Sequence, residues 1–221
     1  MFGGTKMKKL IAVLILVAMA VCFSTAANAV DPVLKEGEYS YTMPVSDSGA
    51  YDPPIFVYSV DEDGGAEIRD VFGTMYYLYM PSTIDGHKIT AIADDAFSYV
   101  TCLQFIAVPR YVRSIGKYAF NGCSSLEEVV LPASVESIGD HAFANCVSLK
   151  KVNIPENVTE IPEYAFSSCL ALTDVVLPEG LTSIGDKAFS MCLNLAELAI
   201  PEGVEVAESA FENSNLAEPA A

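Results

Sequence analysis

The chain has 221 residues, of which 52% are hydrophobic and 19% are charged, with a formal net charge of −17 at pH 7. A chain of this length is expected to form one domain, or one domain with a small appendage. The 29 acidic residues outnumber the 12 basic ones. This excess argues against binding to nucleic acids, which requires clustered positive charge, and against binding to an anionic membrane surface.

Residues 1–29 have the features of a secretory signal peptide. Lys6, Lys8 and Lys9 precede an apolar run over 10–23, and the tripeptide at 27–29 (ANA) is an A-x-A cleavage site. We therefore expect a secreted or cell-surface protein. Its mature charge would be −20, from nine basic against 29 acidic residues. No later stretch approaches the roughly 18 apolar residues of a membrane-spanning helix.

Residues 30–79 carry no repeat. Alternating apolar residues at 55–60 (IFVYSV) and 75–80 (MYYLYM) predict β-strands. We interpret 30–79 as a small N-terminal β cap over the first coil, with 30–50 partly flexible.

A 23-residue repeat dominates the chain from residue 80 to residue 221. Because the period is exact over four units, chance cannot explain it, and a repeat architecture follows. The recurring positions are the prolines at 109, 132, 155, 178 and 201, the Ala-Phe pairs beginning at 96, 119, 142, 165 and 188, and the leucines at 103, 126, 149, 172 and 195.

Each unit predicts a short strand, a turn and a second short segment. Alternating apolar residues form the strand, and the proline ends it because proline cannot donate to a β-ladder. Asp186 is placed to cap a short helical turn over 187–192, with Ala188 and Phe189 pointing inward. One unit cannot bury its own apolar face, so we expect the units to stack into a solenoid with coils ~4.8 Å apart.

The motif C-x-x-L-x-x-[IV]-x-[LI]-P-x-x-[LV]-x-x-I-x-x-x-A-F stands at 146–166 as CVSLKKVNIPENVTEIPEYAF. This unit resembles the 23-residue, BspA-like or treponemal-type leucine-rich repeat of bacterial surface proteins. The segment 84–89 resembles the hairpin that often opens such arrays, and Pro162 departs from the pattern because the other full units carry Gly there. The resemblance implies a leucine-rich-repeat solenoid with right-handed, strand-rich coils, short helical turns, five to six units and a degenerate last unit.

Four cysteines occupy one repeat position: Cys123, Cys146, Cys169 and Cys192. An exported protein could join them in disulfides. Their sulfur atoms should instead point into the core, which favours a ladder of buried thiols. Cys102 lies outside this ladder and is predicted to be the most reactive thiol.

No constellation of residues predicts catalysis or metal binding. His87 and His141 lie in different units, without a cysteine or carboxylate at ligand spacing. The acidic segment 61–65 (DEDGG) lacks the remaining ligands of a calcium loop and is interpreted as a solvated turn. We therefore expect no enzymatic activity, no cofactor and no metal.

Stacked coils turn repeated surface positions into columns of side chains, and solenoids bind partners through such columns. Two columns on the long strand are candidates for partner binding, although strand propensity alone would explain the valines of the second. The first strand column is Phe105, Glu128, Lys151, Asp174 and Glu197, and the second strand column is Ala107, Val130, Asn153, Val176 and Ala199.

A third column, here called the aromatic column, precedes the Ala-Phe pairs and consists of Tyr118, His141, Tyr164 and Lys187. Its aromatic residues could stack against a sugar or a peptide, but packing between neighbouring coils is the commoner role of such residues.

The resemblance implies a non-enzymatic, extracellular binding module whose partner is a protein, because BspA-like repeats are associated with bacterial adhesion. The alternative is a glycan or cell-wall binding protein that uses the aromatic column.

Overall fold

The computed structural model describes residues 37–42 and 54–216, and the predicted signal peptide lies outside these ranges. Within them the chain forms fifteen short β-strands and no helix. The strands are β1 (Glu38–Thr42), β2 (Ile55–Val60), β3 (Gly65–Phe72), β4 (Tyr77–Tyr79), β5 (Thr83–Ile84), β6 (His87–Ile92), β7 (Phe105–Ala107), β8 (Ser114–Ile115), β9 (Glu128–Val130), β10 (Ser137–Ile138), β11 (Lys151–Asn153), β12 (Glu160–Ile161), β13 (Asp174–Val176), β14 (Ser183–Ile184) and β15 (Glu205–Val206).

The N-terminal part is a meander that leads into the solenoid. Strands β1, β2 and β3 pair antiparallel, and β3 then pairs parallel with β6. A two-residue turn at Asp85 (φ 50°) and Gly86 (φ 88°) joins β5 to β6 in a tight hairpin. Both turn residues have positive φ, as this class of turn requires. The predicted hairpin over 84–89 therefore forms the entry to the coils.

The repeats stack in parallel register, so the predicted solenoid is confirmed. The three-residue strands form one sheet in the order β13-β11-β9-β7-β4. In each of these strands the middle side chain points to the core and the two flanking side chains point outward. We call this outward side the strand face.

Phenylalanines from successive coils form a continuous stack in the core. Five of these phenylalanines are fully buried, and their neighbouring ring centroids are 5.0 to 5.3 Å apart: Phe97, Phe120, Phe143, Phe166 and Phe189. The ring planes tilt by between 1° and 20°, so consecutive rings lie nearly parallel. The inward position predicted for the Ala-Phe pairs is correct.

The helical turn predicted over 187–192 is wrong. Lys187 (φ 53°) and Met191 (φ 58°) are left-handed, and a right-handed helix cannot continue through such residues. Alternate amides of the segment bond to the next coil, as Phe189 N does to the carbonyl of Ala210 at 2.8 Å. Asp186 caps no helix, since its Oδ1 accepts a hydrogen bond from Ser209 Oγ at 2.9 Å.

The two-residue strands of the repeats belong to two sheets that are separated at Pro162. The first sheet ends at β10, and the second has the order β12-β14-β15. At the equivalent position, Gly139 N donates to Ile115 O and Gly185 N donates to Ile161 O, both at 2.8 Å. Proline has no N–H for this bond. The departure at Pro162 that the sequence shows thus coincides with the break between the sheets.

Candidate functional site

The strand face brings together four of the five residues of each strand column. Register pairs Phe105 with Glu128 and Ala107 with Val130, and it pairs Lys151 with Asp174 and Asn153 with Val176. The middle residues of these strands pack into the core and fix the backbone, so the outward side chains rise from a rigid support.

The fifth coil does not extend this face as the repeat predicts. Glu197 and Ala199 are exposed, but residues 196–200 form no strand in the structure. The parallel ladder therefore ends at β13, so Glu197 and Ala199 are not paired with the strand columns in this sheet.

At its other end the strand face is longer than the repeat indicates. Strand β4 pairs parallel with β7, which places Tyr77 beside Phe105 and Tyr79 beside Ala107. Both tyrosines are 68% exposed, and the rings of Tyr79 and Phe105 have centroids 5.0 Å apart. The sequence raises the tyrosines of 76–79 as possible ligand-stacking residues but does not place them in the strand columns, because the hairpin lengthens the spacing from 23 to 28 residues. The signal was present, since YLYMP at 77–81 has the same alternation and final proline as FIAVP at 105–109.

Charged and apolar residues alternate along the rest of this face. Val130 and Val176 are 45% and 48% exposed, and Lys151 Nζ lies 3.4 Å from Asp174 Oδ2. An exposed ion pair of this kind contributes at most about 1 kcal/mol. Its main effect here is to neutralise one cation of the first strand column.

The residues of the aromatic column stack on one another. Ring centroids are 4.5 Å apart both between Tyr118 and His141 and between His141 and Tyr164, with planes within 13°. Lys187 Nζ lies 5.6 Å from the Tyr164 centroid and 3.4 Å from Glu212 Oε2. Both faces of His141 are therefore covered by its neighbours along the column, and Tyr164 lies between His141 and Lys187, whereas Tyr118 has a ring neighbour on one face and is 38% exposed.

The cysteine ladder is buried and its sulfur atoms are thiols. Each Sγ donates to a phenylalanine carbonyl 26 residues earlier, as Cys146 does to Phe120 O at 3.2 Å. Burial raises the pKa of Cys123 and Cys192 to about 12 and that of Cys146 and Cys169 well above 9.0. Cys102, which the sequence singles out as reactive, is also buried.

The acidic turn at 61–65 closes on itself. Asp61 Oδ1 accepts hydrogen bonds from the amides of Asp63 and Gly65, at 3.0 and 2.8 Å. Across residues 37–42 and 54–216, no three His, Cys, Asp or Glu side chains are grouped so that they could hold a metal ion. The same ranges contain no helix with the length and apolar character needed to cross a bilayer.

Comparison with known proteins identifies the repeat type. Residues 90–217 match the BspA type leucine-rich repeat region in six copies. No curated protein is significantly similar to the chain.

Several solved structures share the fold. A leucine-rich repeat protein of T. pallidum is 32% identical, with a TM-score of 0.62, over 68% of this chain and 82% of that one. A leucine-rich cell surface protein of Faecalibacterium prausnitzii is 29% identical, with a TM-score of 0.65, over 80% of this chain and 48% of its own. A leucine-rich repeat protein of Bacteroides ovatus is 26% identical, with a TM-score of 0.53, over 71% of this chain and 49% of its own. This chain thus spans about half the length of the latter two.

Proposed function

Because the chain belongs to the BspA-type leucine-rich repeat family, we propose that it is a non-enzymatic, extracellular module that binds a protein partner through its strand face. The export step rests on the signal-peptide features of residues 1–29 and on the surface location stated for the F. prausnitzii relative. Repeat solenoids use extended surfaces of this kind for recognition.

The observation that carries the proposal is the exposed aromatic and aliphatic surface on the strand face. Tyr77, Tyr79 and Phe105 adjoin at one end, and Val130 and Val176 continue the apolar surface along the second strand column. Aromatic residues are enriched at protein interfaces, and exposed patches of this type mark binding sites. The polar and charged residues between them would fix register with the partner.

The aromatic column supports the glycan alternative less well. A sugar stacks on the face of an aromatic ring, and the faces of His141 are covered by Tyr118 on one coil and Tyr164 on the next. Packing between coils accounts for this column without a ligand.

The repeats themselves supply substitutions that test the strand face with little risk to the fold. Asn153 occupies the second strand column, so Tyr79→Asn, Val130→Asn and Val176→Asn place a residue that this position already tolerates. A matched control removes three exposed apolar residues elsewhere. It combines Tyr99→Asn, Val147→Ser and Leu193→Ser, whose replacements stand one to three repeats away at Asn145 and Ser124.

Residues 30–221 of the native protein and of both triple variants would be tested by biolayer interferometry against purified extracellular matrix proteins and purified bacterial surface proteins. We expect at least one partner whose affinity falls tenfold or more in the strand-face variant and stays within twofold in the control. Equal loss in both variants, or full binding by the strand-face variant, would refute the assignment. If no protein on the panel bound, the proposal of a protein partner would be withdrawn in favour of a glycan.

A further inference from the structure

Most of the described Lys and Arg residues in this acidic protein are paired with carboxylates, but three neighbouring ones are not. The described ranges contain eight Lys and Arg residues, and five of them form ion pairs within 4.0 Å, with Nζ–O or N–O distances of 2.6 to 3.4 Å. The other three, Lys88, Arg110 and Arg113, form no ion pair with any described residue. All three line one groove of about 630 Å³.

Tyr111 also lines this groove, which we call the basic groove. Lys88 Nζ and Arg110 Cζ each lie 4.9 Å from the centroid of the Tyr111 ring. Gly64, Gly65 and Gly86 form part of its wall and leave it open, because they carry no side chains. A groove of this volume is in the range of small-molecule sites and exceeds what a single inorganic anion needs.

The basic side chains rise from a rigid backbone. Lys88 lies in β6, directly opposite Gly65 of β3. Arg113 N donates to Thr90 O at 2.8 Å, and the carbonyl of Arg113 accepts from Glu136 N at 2.7 Å. The backbone that carries Lys88 and Arg113 is therefore already ordered, so no backbone entropy at these residues is lost when a ligand binds.

The later repeats show that the fold does not require these arginines. At the position of Arg110 the following units carry Ala133, Glu156, Glu179 and Glu202, and at the position of Arg113 they carry Glu136, Thr159, Thr182 and Glu205. The same backbone is thus built with neutral or acidic residues at both positions. The fold of a repeat therefore does not depend on a cation at either position, and the structural role of the repeat does not explain Arg110 and Arg113.

The other groups in the groove restrict the ligand. Asp61 and Asp63 also line it, so a ligand that offers hydrogen-bond donors as well as anionic groups is favoured over a purely anionic one. A peptide could not extend the sheet here, since β3, β6 and β8 are each paired on both sides. A nucleic acid is disfavoured by the net charge of −17. Sulfated or uronic acid sugars combine negative groups with hydroxyl donors.

We propose that the basic groove formed by Lys88, Arg110, Arg113 and Tyr111 binds an acidic oligosaccharide that carries sulfate or carboxylate groups. The arginines bind the anionic groups in bidentate fashion. The two aspartates accept hydrogen bonds from sugar hydroxyls. This site is independent of the strand face, because it lies on the β3-β6-β8 sheet and shares no residue with either strand column.

The test compares two variants of equal net charge. Arg110→Ala with Arg113→Thr introduces the residues of Ala133 and Thr159, and Lys117→Gln with Lys150→Gln removes two cations that are paired with Asp140 and Glu127. Isothermal titration calorimetry at 50 and 150 mM NaCl would use heparin octasaccharide, hyaluronan octasaccharide, a neutral dextran oligosaccharide, poly-glutamate and inorganic sulfate. Circular dichroism would establish that all variants are folded.

We expect one or both acidic octasaccharides to bind, more weakly at the higher salt concentration, and dextran not to bind. Affinity should fall tenfold or more in the arginine variant and stay within twofold in the lysine variant. The proposal is overturned if neither acidic saccharide binds or if both variants lose affinity equally. It is also overturned if poly-glutamate binds as tightly as the saccharides, which would indicate an acidic peptide, or if sulfate does, which would indicate a simple anion site.

Discussion

Pro162 occupies the position from which a glycine amide, in the neighbouring coils, donates a hydrogen bond to the isoleucine one coil earlier, and it has no N–H to give to Ile138. Strands β10 and β12, which hold Ile138 and Ile161, accordingly belong to different sheets. One proline thus interrupts a ladder that the equivalent glycines of the adjacent coils continue.

The interruption should be visible in amide exchange. Glu136 N and Thr182 N are bonded to the preceding coil at 2.7 Å, whereas Thr159 N, at the equivalent position, forms no such bond in the described part of the chain. We therefore expect Thr159 to exchange faster than Glu136 and Thr182 in hydrogen–deuterium exchange with NMR detection. Pro162→Gly should slow exchange at Thr159, because a glycine amide at position 162 bonded to Ile138 O would join β10 and β12 in one ladder and bring Thr159 N within reach of the preceding coil. Equal protection of the three amides in the native protein would contradict this account.

Glycine is required at residue 139 for close packing between coils. A Cβ atom at Gly139 would lie 2.6 Å from the backbone nitrogen of Lys117, so Gly139→Ala forces neighbouring coils apart. We expect a loss of about 1–3 kcal/mol in the free energy of unfolding, measured by urea denaturation. Gly180→Ala is the control, because the nearest atom to its new Cβ would be 3.7 Å away. That variant should keep its stability or gain up to about 1 kcal/mol, and comparable losses in both would refute the packing argument.

Adjacent serines provide a matched test of left-handed backbone. Ser168 has a φ of 60°, and Ser167 beside it is not left-handed. Ser168→Gly should raise the free energy of unfolding by up to about 1 kcal/mol, because glycine adopts positive φ without steric cost. Ser167→Gly should lower it by about 0.5–1 kcal/mol. The free energies of unfolding of the two single variants would be measured by urea denaturation. A change of the same sign in both would contradict the positive φ assigned to Ser168.

The buried thiols predict a loss of stability in alkali. In the unfolded chain a cysteine ionises near pH 9, whereas burial raises the folded pKa of Cys123 and Cys192 to about 12. Between these values the unfolded state releases protons that the folded state retains, so stability falls as pH rises, by up to about 1.4 kcal/mol per pH unit for each thiol. Urea denaturation from pH 8 to pH 11 measures the slope.

Cys123→Ala should make that slope less steep while lowering stability at pH 8 through the lost packing. Tyrosine and lysine ionisation contribute equally to both proteins and cancel in the comparison. An unchanged slope would show that Cys123 does not titrate differently in the two states.

The 23-residue period was sufficient to predict the solenoid, the inward Ala-Phe pairs and the thiol ladder. Each of these depends on residues that recur in register, and parallel stacking converts that register directly into contact. The adjacency of Val130 to Ala107 and of His141 to Tyr164 follows from the same rule.

Features that break the register could not be found in this way. The left-handed residues were missed because Tyr164, Ser168 and Met191 are not types that signal positive φ. Tyr77 and Tyr79 could not be assigned to the strand columns because the hairpin changes the spacing. The basic groove joins residues from the hairpin and the first full unit, whose convergence depends on how those segments fold together.

The interruption at Pro162 also gives the stack a preferred direction of bending. The sheet of the strand face runs unbroken from β4 to β13, so hydrogen bonds hold the distance between its coils constant. The other side lacks ladder bonds between β10 and β12, so fewer backbone hydrogen bonds join the two coils there, and those that remain run from His141 N, Phe143 N and Asn145 N to the next coil. We therefore expect bending of the stack to open the interrupted side at Pro162 before the strand face.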